Sequence, residues 1–247
     1  MTPGLRFGKH PPERDYRTLR FSSYLKSSLA APPASWSTLQ QVYKKLKISD
    51  PAKLFPMDGN DTLGDCTIAA LAHAITLYRG LIGKKTIPSR QDVVKLYMHL
   101  TGGKDTGLNE LNVLNYWRKN PVDGDEILAY VSVTPHNKTH VQQAIRMFGG
   151  VYLGFQVQEN CQADFAAHRP WTPGKLTNDG HAVFATDYDA EGVTVLTWGS
   201  TQKATWGWWD ECVDEAYAIL PPEASKTNFA PGFDFKQLKA DLNAVAN

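Results

Sequence analysis

Apolar positions recur at helical spacing through the first part of the chain and change to unbroken runs in the second. Leu39, Val42, Tyr43 and Leu46 predict a short helix over Trp36–Leu46. Ile68, Leu71, Ala72, Ile75 and Tyr78 form the stripe of a helix from about Asp65 to Arg79. Asp65 fits its N-cap and Gly80 its C′ position. Its many alanines suit a helix packed closely from several sides. Further helices are expected over Ser89–Leu100, Leu108–Lys119 and His140–Phe148, the last closed by Gly149-Gly150. At Val151 the pattern changes. Val151–Val157, Ala182–Asp187, Val193–Trp198 and Ala216–Leu220 read as strands, with Asp189–Gly192 as a hairpin loop. Helices first and antiparallel strands second predict an α+β fold of two lobes with a cleft between them.

The ends differ from this middle. Residues 1–35 carry Pro11-Pro12 and Pro32-Pro33 among arginines and serines, and predict an extended arm on a surface or partly mobile. Bracing the two lobes is its favoured use, over covering the cleft. Residues 223–247 form a polar tail with one amphipathic helix around Phe235, Leu238 and Leu242. The chain is expected to be a single domain over 1–247: an arm (1–35), a helical lobe (36–150), a β lobe (151–222) and the tail (223–247).

Composition narrows the chemistry. Of 247 residues, 26 are basic and 25 acidic. That balance points away from nucleic acid or an anionic membrane as partner. No apolar run is long enough to span a bilayer, and the N-terminus lacks a signal peptide's apolar core, so a cytoplasmic location is expected. Three cysteines at wide spacing (Cys66, Cys161, Cys212) suggest reduced thiols, and no CxxC metal pair exists. No phosphate-binding or dinucleotide fingerprint implies a cofactor.

One segment carries candidate chemistry. Asn60-Asp61-Thr62-Leu63-Gly64-Asp65-Cys66 places a thiol at a helix start, where unpaired N–H groups favour the thiolate. A cysteine nucleophile needs a base. His73 shares the helix face of Cys66 but lies seven residues on, roughly 10 Å along the axis; a core or interface role is expected for it. His10, His99, His136, His140 and His168 have no supporting pattern. His181 follows Asn178-Asp179-Gly180 and begins a strand, which would hold its ring rigidly. Taken alone, it reads better as a strand-end histidine on a wet surface.

Together these segments resemble the papain-like cysteine peptidase superfamily. Gly64-Asp65-Cys66 is similar to the family's cysteine motif, and Asn60 stands where the family has its oxyanion-hole glutamine. Gly180-His181-Ala182-Val183 resembles the histidine segment, and Trp198-Gly199 with Trp206-Gly207 the paired Trp-Gly motifs. The resemblance spans about residues 54–220. It implies a papain-like two-lobed fold, Cys66 as nucleophile, His181 as base, Asn60 with the Cys66 amide as oxyanion hole, and a peptide or other acyl substrate. The family's histidine-orienting asparagine is replaced by Leu196. A simple loop at Asp189–Gly192 would pair Tyr188 with Val193, Ala185 with Leu196 and Val183 with Trp198. Thr197 orients His181 only if a bulge shifts this register by one residue. Trp198 could shield the pair from water. The expected function is a cysteine hydrolase, most simply a peptidase; the alternatives are an acyltransferase or transglutaminase-like enzyme using the same dyad, or an inactive binding protein on the scaffold.

Other features read as structural. Trp206, Trp208 and Trp209 are expected to pack against the β lobe, Cys161 and Cys212 to be inert, and Asp210-Glu211 with Asp214-Glu215 to form a solvated helix face.

Overall fold

Two hydrophobic cores lie against opposite faces of one antiparallel sheet. The computed structural model describes residues 4–48, 54–222 and 230–246. In chain order, β1 (Trp36–Ser37) leads into α1 (Thr38–Leu46), α2 (Cys66–Leu81), α3 (Arg90–Leu100) and α4 (Glu110–Lys119). Then come β2 (Ala129–Ser132), α5 (Lys138–Phe148), β3 (Val151–Gln158), α6 (Cys161–Ala166), β4 (Leu176–Tyr188) and β5 (Gly192–Thr197). β6 (Ser200–Thr205), α7 (Trp206–Cys212), β7 (Val213–Leu220) and α8 (Phe235–Ala246) complete it. The strand order is β2-β7-β3-β4-β5-β6, with β1 pairing to β4.

Alternation along the strands assigns each core. Tyr152, Phe184, Leu196 and Ile219 face α1–α4. Leu153, Phe155, Val183 and Val195 face the opposite way, toward Phe148 of α5 and Trp208 and Trp209 of α7. The tryptophans therefore serve as packing, as expected, and Trp208 meets Phe155 edge-on at 4.8 Å. α2 is wrapped by protein: Ile68, Leu71 and Ile75 are buried, and so are its alanines on the other faces. This explains an alanine-rich helix with a weak polar side. Gly80 is not a terminator but lies inside α2, where a Cβ would meet Val42 of α1 at 2.5 Å. Ser89, Asn109 and Asn137 cap α3, α4 and α5 with their side chains.

Three short strands escape the hydrophobic pattern. β6 reads Ser-Thr-Gln-Lys-Ala-Thr and buries only Gln202 and Ala204. β1 has two residues and β2 four, too few to show a period. No helix among the described residues is long and apolar enough to cross a membrane.

The arm is part of the core. Phe21–Tyr24 form a 3-10 turn with Phe21 and Tyr24 buried. Phe21 stacks on Phe233 and meets Phe148 edge-on, and the Tyr24 hydroxyl donates to Asp241 of α8 at 2.8 Å. The arm thus ties the sheet to the C-terminal helix. Replacing Phe21 with Ala should cost about 3–5 kcal/mol in urea unfolding; a loss below about 1 kcal/mol would show that this end of the arm packs only superficially.

Candidate active site

Cys66 is the first residue of α2, so its sulfur sits beside the unpaired N–H groups of a helix start. The Asp65 side chain makes no capping bond; its carbonyl instead accepts from Ile68 and Ala69. The backbone amides of Ala182 and Gly8 lie near enough to the sulfur to favour its thiolate. The first of these belongs to the residue after His181, which brings the thiol against the histidine segment of β4. His181 is not at a strand start. It lies inside β4 opposite Phe155, and Gly180 before it pairs with Gln156. It is wholly buried rather than wet.

The register decides what holds the imidazole. Tyr188 pairs with Val193 and Asp187 with Thr194, but Ala185 then pairs with Val195 and Phe184 with Leu196. Thr186 is the extra residue, a one-residue bulge. The shift turns Leu196 to the α2 side and brings Thr197 to the face of His181. His181 Nε2 and Thr197 Oγ1 share a hydrogen bond of 2.8 Å. Nδ1 is buried without a partner. Trp198 stacks on the imidazole, centroids 4.5 Å apart at 24°. Phe155 and Phe7 meet the ring edge-on, both at 5.6 Å. The tryptophan sits at a left-handed φ of 45°, followed by Gly199 at 74°, where β5 turns back into β6.

Comparison with known proteins bears on the architecture. No family model matches the chain, and no curated protein sequence matches it. Solved structures do. Xylellain, a cysteine protease from Xylella fastidiosa, superposes with a TM-score of 0.66 at 17% identity, covering 87% of this chain and 96% of its own. Procathepsin B S9 from Trypanosoma congolense gives 0.60 at 13% identity, covering 88% and 87%. Digestive procathepsin L 3 of Tenebrio molitor larval midgut gives 0.57 at 11%, covering 88% and 76%. The fold is papain-like.

Within this papain-like fold the cleft is filled by the chain's own arm. Gly8 and Lys9 N–H both donate to Gly180 O, at 3.2 and 3.1 Å. Leu108 N–H donates to Gly8 O at 2.9 Å and His10 N–H to Leu108 O at 3.0 Å. Cβ atoms on Gly8 or Gly180 would overlap the carbonyls of Gly64 and Lys9 respectively, so these glycines let the arm lie flush. Asn60 Nδ2 donates to Arg6 O at 3.2 Å and to Leu63 O at 3.1 Å, and Trp198 Nε1 donates to the same Arg6 carbonyl at 3.4 Å. The amide expected to serve an oxyanion is thus occupied by a carbonyl of the arm. The arm does join the two lobes, but it does so by running through the cleft over Cys66. Sequence patterning shows an extended Gly-containing segment here, and nothing in it signals where that segment docks.

Burial sets the electrostatics. It pushes the Cys66 thiol up to about 12, against the opposing pull of the Ala182 and Gly8 amides. It pushes His181 down to about 3. Asp65 is raised by burial to about 8, so it adds little negative charge beside the sulfur at neutral pH. The pair therefore rests as neutral thiol and neutral imidazole under the arm. His73 sits apart, bonded to Pro56 O at 3.0 Å near Asp58, in the core role expected for it. Cys161 begins α6, a helix start that sequence patterning misses, and both it and Cys212 are buried. Asp214 and Glu215 lie on β7, not on a helix face, and Glu215 is buried.

The sign of the pH dependence follows. A thiol raised to about 12 yields thiolate only as pH climbs toward that value. Iodoacetamide should alkylate Cys66 of the intact chain more slowly than free cysteine at pH 7.5, with a rate still rising above pH 9. A plateau by pH 8 would contradict this neutral resting state.

Proposed function

We propose that the chain is a cysteine hydrolase, acting as a peptidase through Cys66 and His181 once the arm leaves the cleft. The observation that carries this reading is the tether of His181: Nε2 is held by Thr197, Nδ1 is left without a partner, and the residue after it, Ala182, has its amide near the helix-start thiol of Cys66. With the cleft open to substrate, Nδ1 takes the thiol proton and the sulfur attacks the substrate carbonyl carbon. The Cys66 N–H and Asn60 amide, released from Arg6, donate to the oxyanion. The C–N bond breaks as His181 returns its proton to the leaving amine. Water, deprotonated by the same imidazole, then attacks the thioester, and cleavage of the C–S bond frees the acid and the thiol. Thr197 keeps the ring in its reactive orientation, and Trp198 limits water behind it. Xylellain, named as a cysteine protease, supports a peptide substrate by analogy of fold.

Leu196 cannot hydrogen-bond the histidine, and an imidazole with nothing to orient it would favour the inactive scaffold. The Thr186 bulge removes that support, because Thr197 fills the role that Leu196 cannot.

Two outcomes test the reading. Gly8→Val places a side chain where the Gly64 carbonyl lies and should lift the arm. In the full chain it should raise peptide hydrolysis and Cys66 alkylation together, by at least tenfold, and Cys66→Ala in that background should abolish the hydrolysis. Hydrolysis surviving Cys66→Ala would refute the assignment. Thr197→Val should lower kcat by about ten- to a hundredfold, a loss of roughly 1.4–2.7 kcal/mol, with little change in KM. An unchanged kcat would mean that the ring needs no tether.

A further inference from the structure

Lys9 is almost wholly buried, although lysine is rarely so. Its ammonium lies 2.9 and 3.0 Å from the two Asp214 oxygens and 3.1 Å from Glu215 Oε1. Tyr217 Oη steadies the other Glu215 oxygen at 2.9 Å. Glu110, the first residue of α4, completes the cluster; its carboxylate is fully buried and neither oxygen has a hydrogen-bond partner. Burial alone would lower the Lys9 pKa, but Glu110, Glu215 and Asp214 together hold it above its ordinary value. Burial, with Glu215 nearby, raises Glu110 well above the carboxylate range. The walls are shaped for a long unbranched stem: a Cβ on Gly154 would overlap the Lys9 side chain.

The geometry points to a specificity pocket that selects a lysine or arginine side chain in the substrate, one or two residues from the scissile bond. This inference rests on the peptidase reading of Cys66. The neighbouring residue Gly8 packs on Gly64, two residues before Cys66, and Arg6 O is held by Asn60, so a side chain in this pocket belongs to a peptide lying across the start of α2. The arm's backbone bonds to Gly180 and Leu108 are available to any extended peptide and carry no side-chain preference. Discrimination is left to the pocket. A peptide that displaces the arm also removes Lys9, and an apolar replacement would leave three carboxyl groups without a cation. Arginine offers five donors in a planar fork, against the three of the lysine ammonium.

The test uses the full chain carrying Lys9→Met, which removes the pocket's own cation while keeping a side chain of similar length. Two capped peptides are compared, one matching residues 5–10 and one with norleucine in place of its lysine. Protection of Cys66 from iodoacetamide is followed by mass on the Cys66 peptide. The lysine peptide should half-protect at a concentration at least about tenfold lower, as expected for a charge-assisted contact. Equal protection, or none from either peptide, would overturn the pocket. If Lys9→Met does not fold, Gly8→Val serves in its place with the same criteria. Protection needs no turnover, so the two claims separate. A chain protected by the lysine peptide that cleaves no peptide keeps the pocket and loses the peptidase reading. A chain that cleaves peptides without regard to a basic residue keeps the peptidase reading and loses the pocket.

Discussion

A single inserted residue, Thr186, decides what holds the His181 imidazole. Without it, Leu196 would share the face of His181 and the imidazole would have no partner on β5. With it, Thr197 takes that place and bonds Nε2 at 2.8 Å. The bulge has a second consequence beside it. Asp187 pairs with Ser37 and accepts from the Ser37 hydroxyl and from the N–H groups of Thr38 and Leu39 at the start of α1. A half-buried carboxylate at a helix N-terminus meets orphan donors and the positive end of the dipole. The same irregularity therefore anchors α1 and positions the histidine, two requirements that a regular hairpin would not meet together.

Burial acts in opposite directions on the two halves of the site. It shapes the pocket around His181, with Trp198 stacked on one side and Phe155 and Phe7 at the edge. It also suppresses ionisation, raising the thiol and lowering the imidazole. The helix start and the amides around the sulfur favour thiolate, but desolvation outweighs them while the arm is in place. The neutral resting state of the thiol and the imidazole is thus a property of solvent access. The arm that excludes water from the sulfur is held at both ends, by Lys9 in its acidic pocket and by Phe21 and Tyr24 in the core.

Much of this was legible in the sequence for identifiable reasons. The helices from Trp36 to Phe148 and the strands after Val151 carry strong periods, and the cores follow those periods. Cys66 stands at a helix start, as its local pattern says, whereas His181 lies inside β4 and its proposed link to Cys66 came from the resemblance. Thr197 was visible only as a condition, since no local pattern announces a bulge at Thr186. The arm's path was not legible at all. Its contacts join residues 6–10 to Asn60, Leu108 and Gly180, separations that no window can see. The pairing of Lys9 with Glu215 was hidden likewise, and Asp214-Glu215 read as surface charge because a buried acid and an exposed one look alike in sequence.

Imidazole nitrogen shifts of His181 test the central claim most directly, measured by NMR across pH in the full chain carrying Gly8→Val. An opened cleft should show an imidazolium near neutral pH, stabilised by the Cys66 thiolate and lost when Cys66 is replaced by Ala. A His181 that stays neutral at every pH above 5, with or without the thiol, would contradict a cysteine–histidine pair at this site.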